Sequence, residues 1–182
     1  MKIKIGISNR HVHLKREDAD ILFGKDFEFT KRNDLSQHGE FATNEVVEIK
    51  TDKYSFPHVR VVGPIRNYTQ VEIAESDAKL LGLKPPMRDS GDVENSENIT
   101  IIGPKGEIYS KSSCIIPNRH IHRNKYSNFA YNNGDIIKGI VKGKLMDNIH
   151  VKEKDTYELE LHLTIDDAAL YNVENGDYID IE

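Results

Sequence analysis

The sequence predicts a mainly β chain with a few short helices, built as two related halves of small barrels or sandwiches. Three observations carry this. Apolar residues alternate with polar ones over many short runs, the pattern of half-buried strands. Helical spacing is confined to segments of one or two turns. The pentapeptide Asn9-Arg10-His11-Val12-His13 returns as Asn118-Arg119-His120-Ile121-His122.

In chain order, Lys2 to Ile7 alternates as a strand and delivers the first His-x-His. Arg16 to Phe23 reads as a short helix, acidic at its start and stopped by Gly24. Leu35-Ser36-Gln37-His38-Gly39 is a turn-rich loop. Val46 to Ile49, His58 to Val62 and Thr69 to Ile73 are strands, and Ser76 to Leu81 is a helix ending at Gly82. Lys84 to Asp92 carries the breakers of a linker, so the halves are expected at 1–85 and 86–182. The plan then restarts. Asn98 to Ile102 and Ile108 to Ile116 are strands leading to the second His-x-His. Arg123 to Asn133 is polar and weakly helical. Asp135 to Val141, Asn148 to Val151 and Tyr157 to Thr164 are strands, with Gly139 and Gly143 at bends. Asp166 to Leu170 is helical, and Tyr178 to Ile181 closes the chain.

Composition narrows the function. The 182 residues are 37% hydrophobic and 30% charged, a globular balance. No apolar run approaches the ~20 residues of a membrane helix, so no membrane partner is expected. Net charge is -5 without a basic stripe, which argues against nucleic acid. One cysteine, Cys114, excludes an intrachain disulfide and points to a reducing, cytoplasmic setting. It reads as a buried small apolar residue, because no base adjoins it.

Alternate residues of a strand share a face, so each His-x-His aims two imidazoles at one point. A second match supplies a third ligand to each: Val71-Glu72-Ile73 followed by Asp77-Ala78, against Leu161-His162-Leu163 followed by Asp167-Ala168. The sets are His11/His13/Glu72 and His120/His122/His162. Three protein ligands with an open position is the catalytic arrangement of zinc, and other first-row divalent ions also suit it. The Glu72 set would be the more charge-neutralised and the His162 set the more electrophilic. Arg66, six residues before Glu72, is an anion-orienting arginine or a solvated one. Arg10 and Arg119 share that ambiguity. His38, His58 and His150 have no repeat partner and read as surface residues. Asp89-Ser90-Gly91 reads as a plain turn. A rival pattern, Gly6 to Gly24 with His11, His13 and Glu17, is similar to the first cupin motif. Glu17 falls in a helical segment, however, and the second cupin motif is absent. A cupin-like metalloenzyme and a non-catalytic metal-binding β module are the alternatives.

Gly6 to Leu14, Asp34 to Gln37, Gly63 to Ile73, Pro86 to Asp92 and Arg119 to His122 together resemble the PduL-type phosphate propanoyltransferases, almost end to end. The resemblance implies reversible conversion of acyl-CoA and phosphate to acyl phosphate and coenzyme A. Acetyl and propanoyl are not distinguished. It implies two small β-barrels related by duplication, with an active site and two metal ions, Zn²⁺ preferred, in the cleft between them. By matching position, His11, His13 and Glu72 hold one ion, and His120, His122 and His162 the other. Arg66 contacts phosphate, and Ile7, Ser8 and Asn9 contact coenzyme A. Three positions depart from the family: His38 replaces Pro, Arg123 to Asn133 is shorter, and Ala169 replaces Asn. The family's amphipathic N-terminal extension is lacking, which favours a cytosolic form over a microcompartment one. A homodimer is common for such folds.

Overall fold

A computed structural model describes residues 1–182. The first repeat supplies β1 (Lys2–Ser8), β2 (His11–His13), α1 (Arg16–Phe23), β3 (Lys31–Asp34), β4 (Phe41–Lys50), β5 (Ser55–Gly63), β6 (Gln70–Glu72), α2 (Glu75–Leu81) and β7 (Met87–Arg88). The second supplies β8 (Glu97–Ile102), β9 (Glu107–Pro117), β10 (His120–Arg123), β11 (Ile136–Val141), β12 (Lys144–Glu153), β13 (Glu160–Thr164), α3 (Ile165–Tyr171) and β14 (Tyr178–Asp180).

These elements form two units. One comprises Met1–Asn9, Ser36–His38 and Asn118–Glu182; the other comprises Arg10–Leu35 and Gly39–Pro117. In the first, six strands close a barrel in the order β1-β13-β10-β12-β11-β14. In the second, β9-β6-β2-β5-β4-β8 close another, because β8 pairs with both β4 and β9. The two rings have the same sequence of pairings. β1–β13 and β9–β6 are parallel, β13–β10 and β6–β2 antiparallel, and β10–β12 and β2–β5 parallel. The remaining pairs are antiparallel in both.

The units are not the expected halves 1–85 and 86–182. β1 leads into the His-x-His of β2 yet pairs with β13, placing Ile5 opposite Leu161. β9 leads into β10 yet pairs with β6, placing Cys114 opposite Val71. Each repeat thus gives its first strand to the other repeat's barrel, so a cut in the sequence cannot separate them. The expected linker is also part of the second unit, since β7 pairs with β9 in parallel.

Alternation builds each core. Val12, Val61, Val71, Ile101 and Cys114 point into one barrel, joined by Ala19 and Leu22 of α1 and Ala78 and Leu81 of α2. Ile3, Ile5, Ile121, Ile149, Val151, Leu161 and Ile179 fill the other. Burying each of these Val, Leu and Ile side chains contributes roughly 1.5–3 kcal/mol. The flanking positions of the same strands must then face outward. Helix ends follow local chemistry. Gly82 and Asn172 close α2 and α3 in the left-handed region at φ 69 and 53. Thr164 Oγ1 caps α3 by accepting from the Asp167 N–H at 3.3 Å.

Two local expectations change. Arg123 to Asn133 contains no helix: Arg123 ends β10, and its guanidinium donates to the carbonyls of Asn124, Phe129 and Tyr131. Those bonds give a non-helical loop its backbone partners, while Phe129 packs into the core. Gly139 serves close approach as well as a bend, because a Cβ there would lie 2.8 Å from the Asp180 carbonyl oxygen and 2.5 Å from Ile181 Cδ1. The ladder beside it slips between Ile137 and Gly139. His150 is half-buried on the outer face of β12, where it stands opposite His120. His38 and His58 are exposed.

Candidate metal centres

In β2 the inward residue is Val12, which leaves His11 and His13 on the outer face of the barrel. β6 runs antiparallel beside it with Val71 opposite Val12, so Glu72 falls opposite His11. The result is a compact donor set. His11 Nε2 lies 3.1 Å from His13 Nε2, and Glu72 Oε2 lies 2.6 Å from the former and 3.0 Å from the latter. His13 and Glu72 are buried. Burial and the nearby His11 and Arg66 charges lower the His13 pKa, although Glu72 opposes the shift. That favours the neutral, metal-ligating form. Burial alone would raise the Glu72 carboxyl, but His11 and His13 hold it well below the usual range.

The second set repeats this register. Ile121 faces Leu161 in the core, and His120 faces His162 across β10 and β13. Candidate ligand atoms of His120, His122 and His162 lie within 4.8 Å of one another. The His120 and His162 rings stack at 5.1 Å, and His122 is buried against the Tyr157 ring at 3.8 Å. His120 Nδ1 is 2.7 Å from the Asn118 carbonyl. A carbonyl only accepts, so Nδ1 carries the proton and Nε2 the lone pair, the arrangement that orients a metal-binding imidazole.

Both donor sets suit an ion. Ligands of a tetrahedral Zn²⁺ at ~2.0–2.1 Å stand ~3.3–3.4 Å apart, so the first triad, at 2.6, 3.0 and 3.1 Å, needs to open by less than about 1 Å. Neutral imidazoles with one carboxylate, or three imidazoles, are the donors such ions take. Glu17 lies exposed on α1 and is no part of either set.

The arginines before the two His-x-His motifs are tied down. Arg119 Nε and Nη2 donate to Asp167 Oδ1 at 3.0 and 2.8 Å, and Nη1 donates to the Asp147 carbonyl at 2.9 Å. Arg10 Nη1 is 3.6 Å from Asp77 Oδ1, and its guanidinium lies 4.1 Å above the Phe56 ring. Asp77 and Asp167 are the aspartates matched between the repeats. Each sits in the first turn of the helix that follows the strand bearing the third ligand. The pair therefore couples the two ligand-bearing segments of each centre.

Arg66 lies between β5 and β6, where its N–H donates to the Leu14 carbonyl at the end of the His-x-His strand. Nη2 donates to Glu40 Oε1 at 2.6 Å, and Nη1 donates to Tyr68 Oη at 3.0 Å and Ser90 Oγ at 3.1 Å. Burial would lower its pKa, but Glu40, Tyr68 and Glu72 raise it. Ser90 also accepts from Gln70 Nε2, whose Oε1 accepts from the Gly91 N–H. The Asp89-Ser90-Gly91 turn is thus fastened beside Arg66 and Gln70. Glu40, Tyr157 and His150 carried no sequence signal, while the Asp-Ala match had marked Asp77 and Asp167. Ile7 and Ser8 end β1 in the first unit, with Asn9 exposed after them. The Ile7 N–H donates to Asn175 Oδ1 at 2.6 Å.

Comparison with known proteins shows the family. Residues 4–174 match the family model described as phosphate propanoyltransferase. A phosphate propanoyltransferase of Thermotoga maritima is 40% identical over 183 residues, covering 97% of this chain and 87% of the relative. Another, from Priestia megaterium, is 41% identical over 180 residues, covering 96% and 83%. One from Clostridioides difficile is 39% identical over 181 residues, covering 96% and 86%. No helix of the chain is long and apolar enough to cross a membrane. On the strength of these matches, the chain belongs to the phosphate propanoyltransferase family and is an acyltransferase.

Proposed function

We propose that this acyltransferase moves a short acyl group, propanoyl or acetyl, between coenzyme A and inorganic phosphate, using two divalent metal ions. The observation that carries the reading is the repeated three-donor row, His11/His13/Glu72 in one unit and His120/His122/His162 in the other. Relatives named phosphate propanoyltransferase support the chemistry.

Arg66 binds and orients the phosphate through its charged fork. A phosphate oxygen forms a bond to the thioester carbonyl carbon, and the carbon–sulfur bond breaks with its electron pair on sulfur. Ile7, Ser8 and Asn9 bind coenzyme A. His11, His13 and Glu72 hold one ion, and His120, His122 and His162 hold the other. The ions, with Zn²⁺ preferred, would polarise oxygen and stabilise a thiolate at open coordination positions. Glu72 makes its centre the less electrophilic of the two. No acyl-enzyme is involved: Cys114 is buried, and burial pushes its thiol pKa up.

The test is acyl-dependent CoA release with propanoyl-CoA, acetyl-CoA and phosphate, alongside a metal count. Two ions per chain and phosphate-dependent release are expected. His120→Ala should lose one ion and nearly all turnover. One ion per chain would favour a cupin-like enzyme. Metal-loaded protein without CoA release would favour a binding module.

A further inference from the structure

We propose that Glu40 sets the phosphate affinity of this chain by competing with the anion for the Arg66 guanidinium. The inference rests on the reading of Arg66 as the phosphate-binding arginine. Three side chains engage its fork. Tyr68 and Ser90 meet it with hydroxyls, which carry no charge. Their hydroxyl hydrogens can turn toward an incoming anion. Glu40 differs, because it holds Nη2 at 2.6 Å with a carboxylate. The pair is largely shielded, with side-chain exposures of 18% and 20%, so solvent screens it less than a surface pair. A carboxylate is isosteric with one edge of a phosphate, and it takes the same bidentate donors. Phosphate at Arg66 must therefore displace Glu40 or accept its repulsion.

Glu40 immediately precedes β4, so its backbone is tied to the barrel. The Leu35 N–H donates to its carbonyl at 3.0 Å. The carboxylate is thereby presented to Arg66 by a fixed backbone. It is a positioning and affinity-setting residue, not one that touches the reacting atoms.

The test compares the metal-loaded full chain with Glu40→Gln, Glu40→Ala and Arg66→Ala. Inorganic phosphate is titrated by calorimetry, and KM is measured separately for phosphate and acyl-CoA. Glu40→Gln keeps an acceptor for Nη2 and removes the charge. Its Kd and KM for phosphate should fall about fivefold, with KM for acyl-CoA unchanged, as expected when phosphate no longer has to break one partly shielded ion pair. Glu40→Ala should move phosphate affinity in the same direction. Arg66→Ala should raise the phosphate Kd at least tenfold, and adding Glu40→Gln to it should bring no further tightening. Unchanged or weaker phosphate binding in the Glu40 variants, with Arg66→Ala still weakened, overturns the role of Glu40 alone. Unchanged phosphate binding in Arg66→Ala overturns the underlying reading of Arg66.

Discussion

Replacing Asp167 with Ala should loosen the second metal centre without touching any ligand. Asp167 Oδ1 accepts both Nε and Nη2 of Arg119, at 3.0 and 2.8 Å. Arg119 precedes His120, and Asp167 lies five residues after His162, so their pair links the two ligand-bearing segments. The side chains are 18% and 16% exposed. Charged hydrogen bonds contribute roughly 1.5–3 kcal/mol when shielded; partial exposure reduces that to about 1–2 kcal/mol. For a chain of this size, the loss corresponds to a melting point lower by about 2–8 °C. Losing an outer-shell support typically weakens metal binding about 10- to 100-fold. Because Arg119 retains the Asp147 carbonyl at 2.9 Å, the lower end, about tenfold, is expected. Competition against a chromophoric chelator reads the affinities of the two centres. Only one of the two binding classes should shift in Asp167→Ala, and the His11/His13/Glu72 centre serves as an internal control. A double-mutant cycle with Arg119→Ala should return most of the loss as coupling. Unchanged metal affinity at both centres, with the melting point lowered, would reduce the pair to a stability contact and refute the coupling argument.

Acid should destabilise the metal-free protein. The folded Glu72 pKa is depressed, so its stabilisation is present above the unfolded value and lost as pH falls through the folded one. His13 is also depressed, so below about pH 6.5 the unfolded chain takes up a proton that the folded chain refuses. Melting of chelator-treated protein should therefore drop between pH 7.5 and pH 5 through His13, and further below about pH 4.5 through Glu72; a flat or rising profile in the first window contradicts the His13 assignment, and in the second the Glu72 assignment. Cys114 is buried, and burial, aided by Glu97 and Asp77, raises its pKa. Native protein should resist a thiol reagent at pH 8, and denatured protein should react with one equivalent per chain; fast native labelling would contradict this. Gly139→Ala places a methyl 2.8 Å from the Asp180 carbonyl and 2.5 Å from Ile181 Cδ1. Overpacking of this kind costs roughly 1–3 kcal/mol, and denaturant titration should show it; unchanged stability would mean that β14 yields freely.

The strands were legible because alternation of apolar and polar residues depends only on which side chains leave water. Arg16–Phe23 was read with its observed bounds for a similar reason: its apolar face and the Gly24 stop are local properties. The six candidate ligands were legible too, since a strand's two-residue period fixes that His11 and His13 share a face. Glu72 and His162 emerged from a repeat, which is itself a statement about sequence. β3 escaped notice because Lys31 to Asp34 is wholly exposed and polar, with no buried face to leave a pattern. What tertiary structure decided was partnership. Hydrogen bonding across a sheet has no imprint on distant residues, so nothing marked β1 as a partner of β13, or β9 of β6. Those two pairings moved the boundaries away from 1–85 and 86–182. The same reason kept Glu40, His150 and Tyr157 out of view. Each acquires its place by register or packing: beside Arg66, opposite His120, and against the His122 ring. Residue type and spacing marked the candidate donors of each centre. The surroundings that orient those donors exist only once distant strands are paired.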